Sequence, residues 1–227
     1  MGWTVSKIAS TIDNNARNGE HGVTNSAIPI TQIEQEVITE RMSILFEATR
    51  KGNIPLQGLY QDINGIPVDS MDIAKIRQVS SSQKVKHFTV PKIASLFGED
   101  AIDYIGSPLR DAFSWKVYTD NRFTMHKYKS VTHSKPFVWI DSSPREDGNY
   151  DAFLFNYPKL IQFISMTAIF ENPYDVLDYS GGVRTDEFPA PEWVVEEIIS
   201  RLSKKYIYFY RQLNSPSQPN TQSDITT

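Results

Sequence analysis

The hydrophobic period of this chain changes twice, and the two changes constrain its fold more than any other feature. Apolar residues recur at helical spacing up to about Arg77. From Lys84 they alternate or run in short blocks between Gly, Pro, Asn and Asp, and helical spacing resumes only at Pro191. The stretch 126–156, HKYKSVTHSKPFVWIDSSPREDGNYDAFLFN, gives the middle regime most clearly. Residues 136–141 alternate around Trp139, Glu146-Asp147-Gly148-Asn149 has the composition of a hairpin turn, and residues 152–155 resume the apolar run. Helices on both sides of strands predict an α+β fold.

Within the first regime, Thr4 caps a helix whose Val5, Ile8, Ala9, Ile12 and Ala16 share one face, ending at Asn18-Gly19. Thr31 and Glu34 read as a Thr-x-x-Glu capping box opening a second helix through about Arg50. Its stripe of Ile33, Val37, Ile38, Ile44, Leu45 and Ala48 is wider than a surface helix needs and predicts packing on two sides. Residues 55–60 and 71–76 are expected as short helices around an Asn64-Gly65 turn. Strands are expected over 87–90, 113–119, 137–141 and 152–155. The apolar run 160–170 reads as a strand, because Pro158 precedes it and Asn172-Pro173 follows.

Ser180-Gly181-Gly182 is expected as a flexible joint before the last helix. Pro191 suits that helix's first turn, and Glu192, Glu196 and Glu197 lie near its positive end. Val194, Val195, Ile198, Ile199 and Leu202 form its apolar face, with Lys204, Lys205 and Arg211 toward the C-terminal end. Residues 206–210 are apolar or aromatic throughout, which predicts burial on several sides. Residues 214–227 have almost nothing to bury and read as a flexible C-terminal arm. The expected division is helical segments over 1–80 and 180–213, a β lobe over 81–179, and the arm over 214–227.

Composition narrows the function. With 40% apolar and 12% aromatic residues the chain can bury a core, and it has no cysteine, so disulfides, thiol nucleophiles and cysteine-ligated zinc drop out. Residues 1–80 carry 7 basic and 9 acidic side chains, residues 81–145 carry 10 and 6, and residues 146–227 carry 6 and 12. The mildly basic middle falls short of the dense Lys/Arg face that nucleic acid requires. Protein partners suit such a mixed surface better. The longest apolar run is too short to span a bilayer, so no membrane partner is expected. Gly2 and Ser6 formally match a myristoylation signal, but bulky Trp3 is read as packing the first helix onto the body.

No residue set carries catalysis. His21, His87, His126 and His133 lack metal-ligand spacing, and His126, His133 and Asp141 read as solvated strand residues rather than a divalent site. Ser142-Ser143 lacks a nucleophile elbow. Glu146, Asp147 and Asp151 cluster around a turn, where carboxylates are ordinary. Gly181-Gly182 lacks the rest of a phosphate loop. No catalytic residue, cofactor or metal is therefore expected.

Several segments together carry a family resemblance: TVSKIASTIDNNARNGEHGVTN, QEVITERMSIL, IGSPLRDAFSWKVYTDNRFTMHKYKSVTHSKPFVWID, DAFLFN and SMTAIFENPYDVL, in that order from Thr4 to Leu177. They resemble a virion structural protein of crAss-like bacteriophages, of the head-to-tail connector type akin to tail tubular or head-completion adaptors of short-tailed phages. FPAPEW followed by VVEEIISRL is similar to what phage structural proteins place before their last helices. The resemblance implies N- and C-terminal helices forming one bundle with an inserted antiparallel β lobe. It implies a cyclic ring of about twelve copies docked at the portal, beside further tail ring proteins. DNA would pass through its channel without specific binding, and the chain would be assembled in the host cytoplasm into the virion neck.

In that setting Trp193, Tyr206, Phe209, Tyr210 and Leu213 are the expected partner interface, at helical spacing before a segment with no core of its own. The alternative is a virion attachment or decoration module whose β lobe binds a partner. A metal-independent hydrolase is the third reading, and its motifs are missing.

Overall fold

The computed structural model describes residues 2–17, 28–52, 58–72, 84–96, 99–110, 114–118, 136–156, 160–180 and 187–213. His21, His126, His133, Gly181-Gly182 and the arm 214–227 lie outside them.

The first helix, α1 (Val5–Ala16), follows its sequence pattern closely. The Thr4 hydroxyl accepts from the Lys7 amide at 3.2 Å, and Val5, Ile8, Ala9, Ile12 and Ala16 are all buried. Each fully buried Ile contributes about 1.5–3 kcal/mol from apolar burial. Trp3 packs against the same core, and its carbonyl accepts from the Phe188 amide.

The second helix, α2 (Ile30–Arg50), starts differently from the expected capping box. Pro29, in extended conformation, takes the N-cap position, and its carbonyl accepts from the Gln32 and Ile33 amides. Proline has no side-chain acceptor, and Thr31 is already inside the first turn. Glu34 instead accepts from the Ser6 hydroxyl of α1 at 2.6 Å.

Of the short helices expected near 55–60 and 71–76, residues 58–60 form a turn leading into strand β1 (Gln61–Pro67), and Met71 and Asp72 end strand β2 (Asp69–Asp72); residues 55–57 and 73–76 lie outside the described residues. Asn64-Gly65 is a bulge inside β1 rather than a turn. The register shifts between Ile63 and Ile66, and Gly65 adopts φ +75°, which a side chain would resist. Ile63 and Ile66 both reach the core because the bulge breaks simple alternation.

The remaining strands are β3 (Lys84–Val90), β4 (Ser95–Leu96), β5 (Glu99–Asp100), β6 (Ile102–Gly106), β7 (Lys116–Tyr118), β8 (Phe137–Pro144), β9 (Tyr150–Phe155) and β10 (Phe163–Ala168). They form a three-stranded sheet of order β1-β10-β6 and a five-stranded sheet of order β2-β3-β9-β8-β7, with β4 and β5 as a small ribbon. Pairing is antiparallel except between β7 and β8, which run parallel. The lobe is thus mixed rather than antiparallel. The 18 residues between Tyr118 and Phe137 meet the dozen or more that a parallel connection requires. The β8–β9 hairpin turns at Gly148, φ +82°, as its composition indicated. Residues 163–168 of the ambiguous apolar run are the central strand of the smaller sheet, as read.

Two cores result. One lies between the sheets and takes Ile63, Phe88, Ile105, Val138, Leu154 and Met166, among others. The second unites α1, α2 and the last helix, α4 (Glu192–Leu213), and Leu59, Leu96, Ile169 and Tyr174 belong to it too. The sheet connections and the short α3 (Leu177–Ser180) therefore lie against the helices rather than apart from them. Asn15 of α1 donates to the Ser203 hydroxyl of α4 at 3.4 Å.

Candidate functional site

The last helix positions the residues expected to meet a partner. The Pro191 carbonyl accepts from the Val194 and Val195 amides and starts the helix. Val194, Val195, Ile198, Leu202 and Tyr206 then lie at spacings that keep them on one inner face, all buried. A helix turns about 100° per residue, so Tyr208 stands about 200° round from Tyr206. It is 66% exposed and Trp193 is 39% exposed off that face, whereas Phe209, three residues after Tyr206 and seven after Leu202, keeps the inner spacing yet is 41% exposed near the helix end.

The five residues expected at the interface therefore divide. Trp193 and Phe209 are about 40% exposed. Tyr206 is turned into the helical core at 3% exposure. Burial first, and the neighbouring Glu36 carboxylate second, hold its hydroxyl well above the ordinary tyrosine range. Tyr210 is half-buried, and its hydroxyl donates to Asp13 at 3.1 Å. Leu213 ends the helix, and its side chain lies outside the described set. Tyr208 was not among the five. The spacing from Ile198 through Leu202 to Tyr206 already contained the signal that separates the two faces.

A polar seam joins α4 to α2. Arg201 reaches Glu40 at 3.1 Å, Glu47 at 2.8 Å and Glu197 at 2.7 Å, and Lys205 pairs with Glu36 at 2.7 Å. Residue numbers rise on α2 as they fall on α4, so the two helices run in opposite directions. Hydrogen bonding to Glu47, then to Glu197, raises the Arg201 pKa, and the same hydrogen bond lowers that of Glu47.

The residue that sequence reasoning missed is Arg41. It occupies a position within the apolar stripe of α2 and is fully buried. Its Nε donates to the Pro189 carbonyl at 3.2 Å and one terminal nitrogen to the Phe170 carbonyl at 3.0 Å. The other terminal nitrogen, Nη2, has no hydrogen-bond partner among the described residues. Burial pulls the guanidinium pKa down to about 10. A long side chain at helical spacing gives no sign in sequence that its head is buried, and the two carbonyls it meets lie far away in the chain.

The carboxylates near the hairpin do structural work. Asp147 accepts from the Asn149 amide at 3.0 Å, and Asp141 from the Ser143 amide at 3.1 Å. Asp151 contacts His87 at 2.6 Å and Arg145 at 3.0 Å. Among the described residues, no three His, Asp or Glu side chains converge to hold a metal ion, and no helix is long and apolar enough to cross a membrane. The chemistry on display is packing, capping and ion pairing.

A family model described as phage tail ring protein 2, of the crAss group, matches residues 5–225. Comparison with curated proteins found no match. The match takes in both helical segments and the sheets between them, so the whole described architecture belongs to one family unit. The exposed aromatics of α4 accord with a structural role in the virion. This chain is a member of the phage tail ring protein 2 family of crAss-like phages.

Proposed function

We propose that the chain is a non-catalytic head-to-tail connector ring of the phage neck, docking at the portal and forming part of the channel through which DNA passes. The observation that carries this reading is the family match across residues 5–225. In it, a cyclic homo-oligomer of about twelve copies closes by head-to-tail contacts. The N- and C-terminal helices form the bundle of the ring body. The region 81–179 is the inserted lobe, together with β1 and β2, which complete its sheets.

Exposed aromatics support burial by neighbours, since Trp193, Tyr208 and Phe209 on one helix leave apolar area in water that an assembly would cover. A net charge of −4 suits a channel wall past which DNA slides without sticking. Phe209 and Leu213, with the arm 214–227, then meet the portal or the next ring protein, Trp193 at the start of the helix meets a neighbouring subunit, and Tyr206 and Tyr210 anchor the helix that presents them. Assembly takes place in the host cytoplasm, in company with the other tail ring proteins.

A reconstruction of the particle neck tests the reading. The expected result is a closed ring of this chain next to the portal. Single copies, or copies scattered on the capsid shell, would refute it.

A further inference from the structure

The smaller sheet ends in a surface for which the fold supplies no internal use. After β6 the chain makes a turn over residues 107–110, closed by the Arg110 amide donating to the Ser107 carbonyl at 3.0 Å. Arg110 holds φ +51°, a left-handed conformation that is strained for a non-glycine residue. Three contacts keep it there. Its Nη2 reaches Asp62 at 2.5 Å and the Thr167 hydroxyl at 2.9 Å, and the guanidinium lies 5.2 Å from the Tyr104 ring centre. Hydrogen bonds from Thr167 and Arg110 lower the Asp62 pKa although burial opposes them, so the clamp stays ionised at neutral pH.

The product of this clamping is Leu109, 81% exposed at the turn. Turns ordinarily place Gly, Asn, Asp or Ser in such positions. Leu160, 93% exposed, lies three residues before the start of β10, and Phe163 is half-exposed at its first residue. The register places all three toward one end of the sheet: β10 starts there, and Gly106, the last residue of β6, pairs with Ser165. The other end of β10 runs into the helical core through Ile169. An apolar tip on a rigid, pre-set turn loses little entropy on docking, which is the property of a binding anchor.

We propose that this tip, Leu109 with Leu160 and Phe163, docks on the outer face of α4 around Trp193 in the neighbouring copy of the same chain. The inference rests on the ring reading above and gives it a contact. A closed ring needs two different complementary patches per copy, because a patch that meets only itself yields a dimer. The tip and Trp193 are such a pair. Six residue steps from Phe163 to Ile169, at about 3.3 Å each, put about 20 Å between the tip and the point where β10 enters the helical core to which α4 belongs. Trp193 is flanked by the exposed carboxylates of Glu192 and Glu196, and Leu109 by Arg110, which is 42% exposed although it is paired with Asp62. Tryptophan is among the residues enriched at binding hot spots.

The absence of native cysteine makes the test direct. Leu109→Cys and Trp193→Cys are introduced singly and together in the full chain, incorporated into particles, and oxidised. The double variant is expected to give a ladder of disulfide-linked copies, and each single variant none. A dimer band from Leu109→Cys alone would mean tip-to-tip contact and overturn the proposal. So would a double variant without a ladder in particles whose neck still contains the closed ring. Particles in which this chain forms no ring at all would instead bring down the ring reading, and the contact with it. As a second measure, Leu109→Asp should leave the thermal midpoint unchanged, since the side chain is exposed. It should reduce ring incorporation about tenfold or more. Unchanged incorporation, or capture of the tip by a different virion protein in cross-linked particles, counts against it.

Discussion

The Arg41 guanidinium donates to the Phe170 carbonyl across 3.0 Å, linking residues 129 positions apart in the chain. A second bond to the Pro189 carbonyl makes this side chain the point where α2, the end of the β10 segment and the approach to α4 meet. No carboxylate compensates its charge among the described residues. Main-chain carbonyls do that instead, at the end of a strand and before a helix.

Arg41→Ala should therefore lower stability by about 2–5 kcal/mol, from the cavity and from two buried carbonyls left without donors. Arg41→Met should recover part of that loss, because it refills the volume and removes a charge whose burial is itself unfavourable. Denaturant unfolding of the three proteins measures both. An alanine variant within about 0.5 kcal/mol of the parent, the usual range of a neutral surface change, would contradict the account.

Arg201 meets three carboxylates at once, but its side chain is one-third exposed. Arg201→Met should cost about 1 kcal/mol, the upper range for exposed pairs, because Glu40, Glu47 and Glu197 are then left to repel one another. The difference from the parent should shrink at high salt. A loss that is independent of salt would point to packing of the stem rather than to charge.

Stability should fall at both pH extremes for identifiable reasons. The Tyr206 hydroxyl is held above its ordinary value of 10.0, so the unfolded chain releases that proton first and stability declines as pH rises above about 10. Tyr206→Phe should flatten this alkaline limb. Glu47 is held below its ordinary 4.5 by Arg201, so the folded chain keeps it ionised and stability is lost as pH falls below that value. Glu47→Gln should flatten the acid limb. Thermal midpoints across the pH range read both effects.

Truncation after Asn214 should leave helical content unchanged by circular dichroism and reduce incorporation into portal-docked rings. Ordering an arm costs about 1–2 kcal/mol per residue, so it contributes only where side chains become buried in return. Equal incorporation by the truncated chain would make the arm a bystander.

Much of the helical half was legible in sequence because it depends on local periodicity. The buried residues of α1 are the five its spacing singled out, and the inner face of α4 begins with Val194, Val195 and Ile198 as read. The β8–β9 hairpin was legible for the same reason, since the turn at Gly148 is a local demand of backbone conformation. What sequence hid depends on partners far along the chain. Residues 61–72 lack strand composition, and they become β1 and β2 only because β10 and β3 offer edges to pair with. The capping box failed because Pro29 had already taken the cap position. Tyr206 and Phe209, three residues apart, share a side of α4 by spacing, and only the packing around them shows that one is buried and the other 41% exposed. Arg41 could not have been found by periodicity, since only the two carbonyls it meets show why it is inside.

The bond between Asn15 and Ser203 also sets a timetable. The two residues lie 188 positions apart, so α1 and α2 are synthesised long before the helix that seals them. At roughly 5–20 residues per second, that interval is roughly 10–40 s on the ribosome. Through all of it Ile8, Ile12, Val37 and Leu45 have no α4 to pack against. The helical core is therefore a late product of translation, completed only when the last helix has emerged.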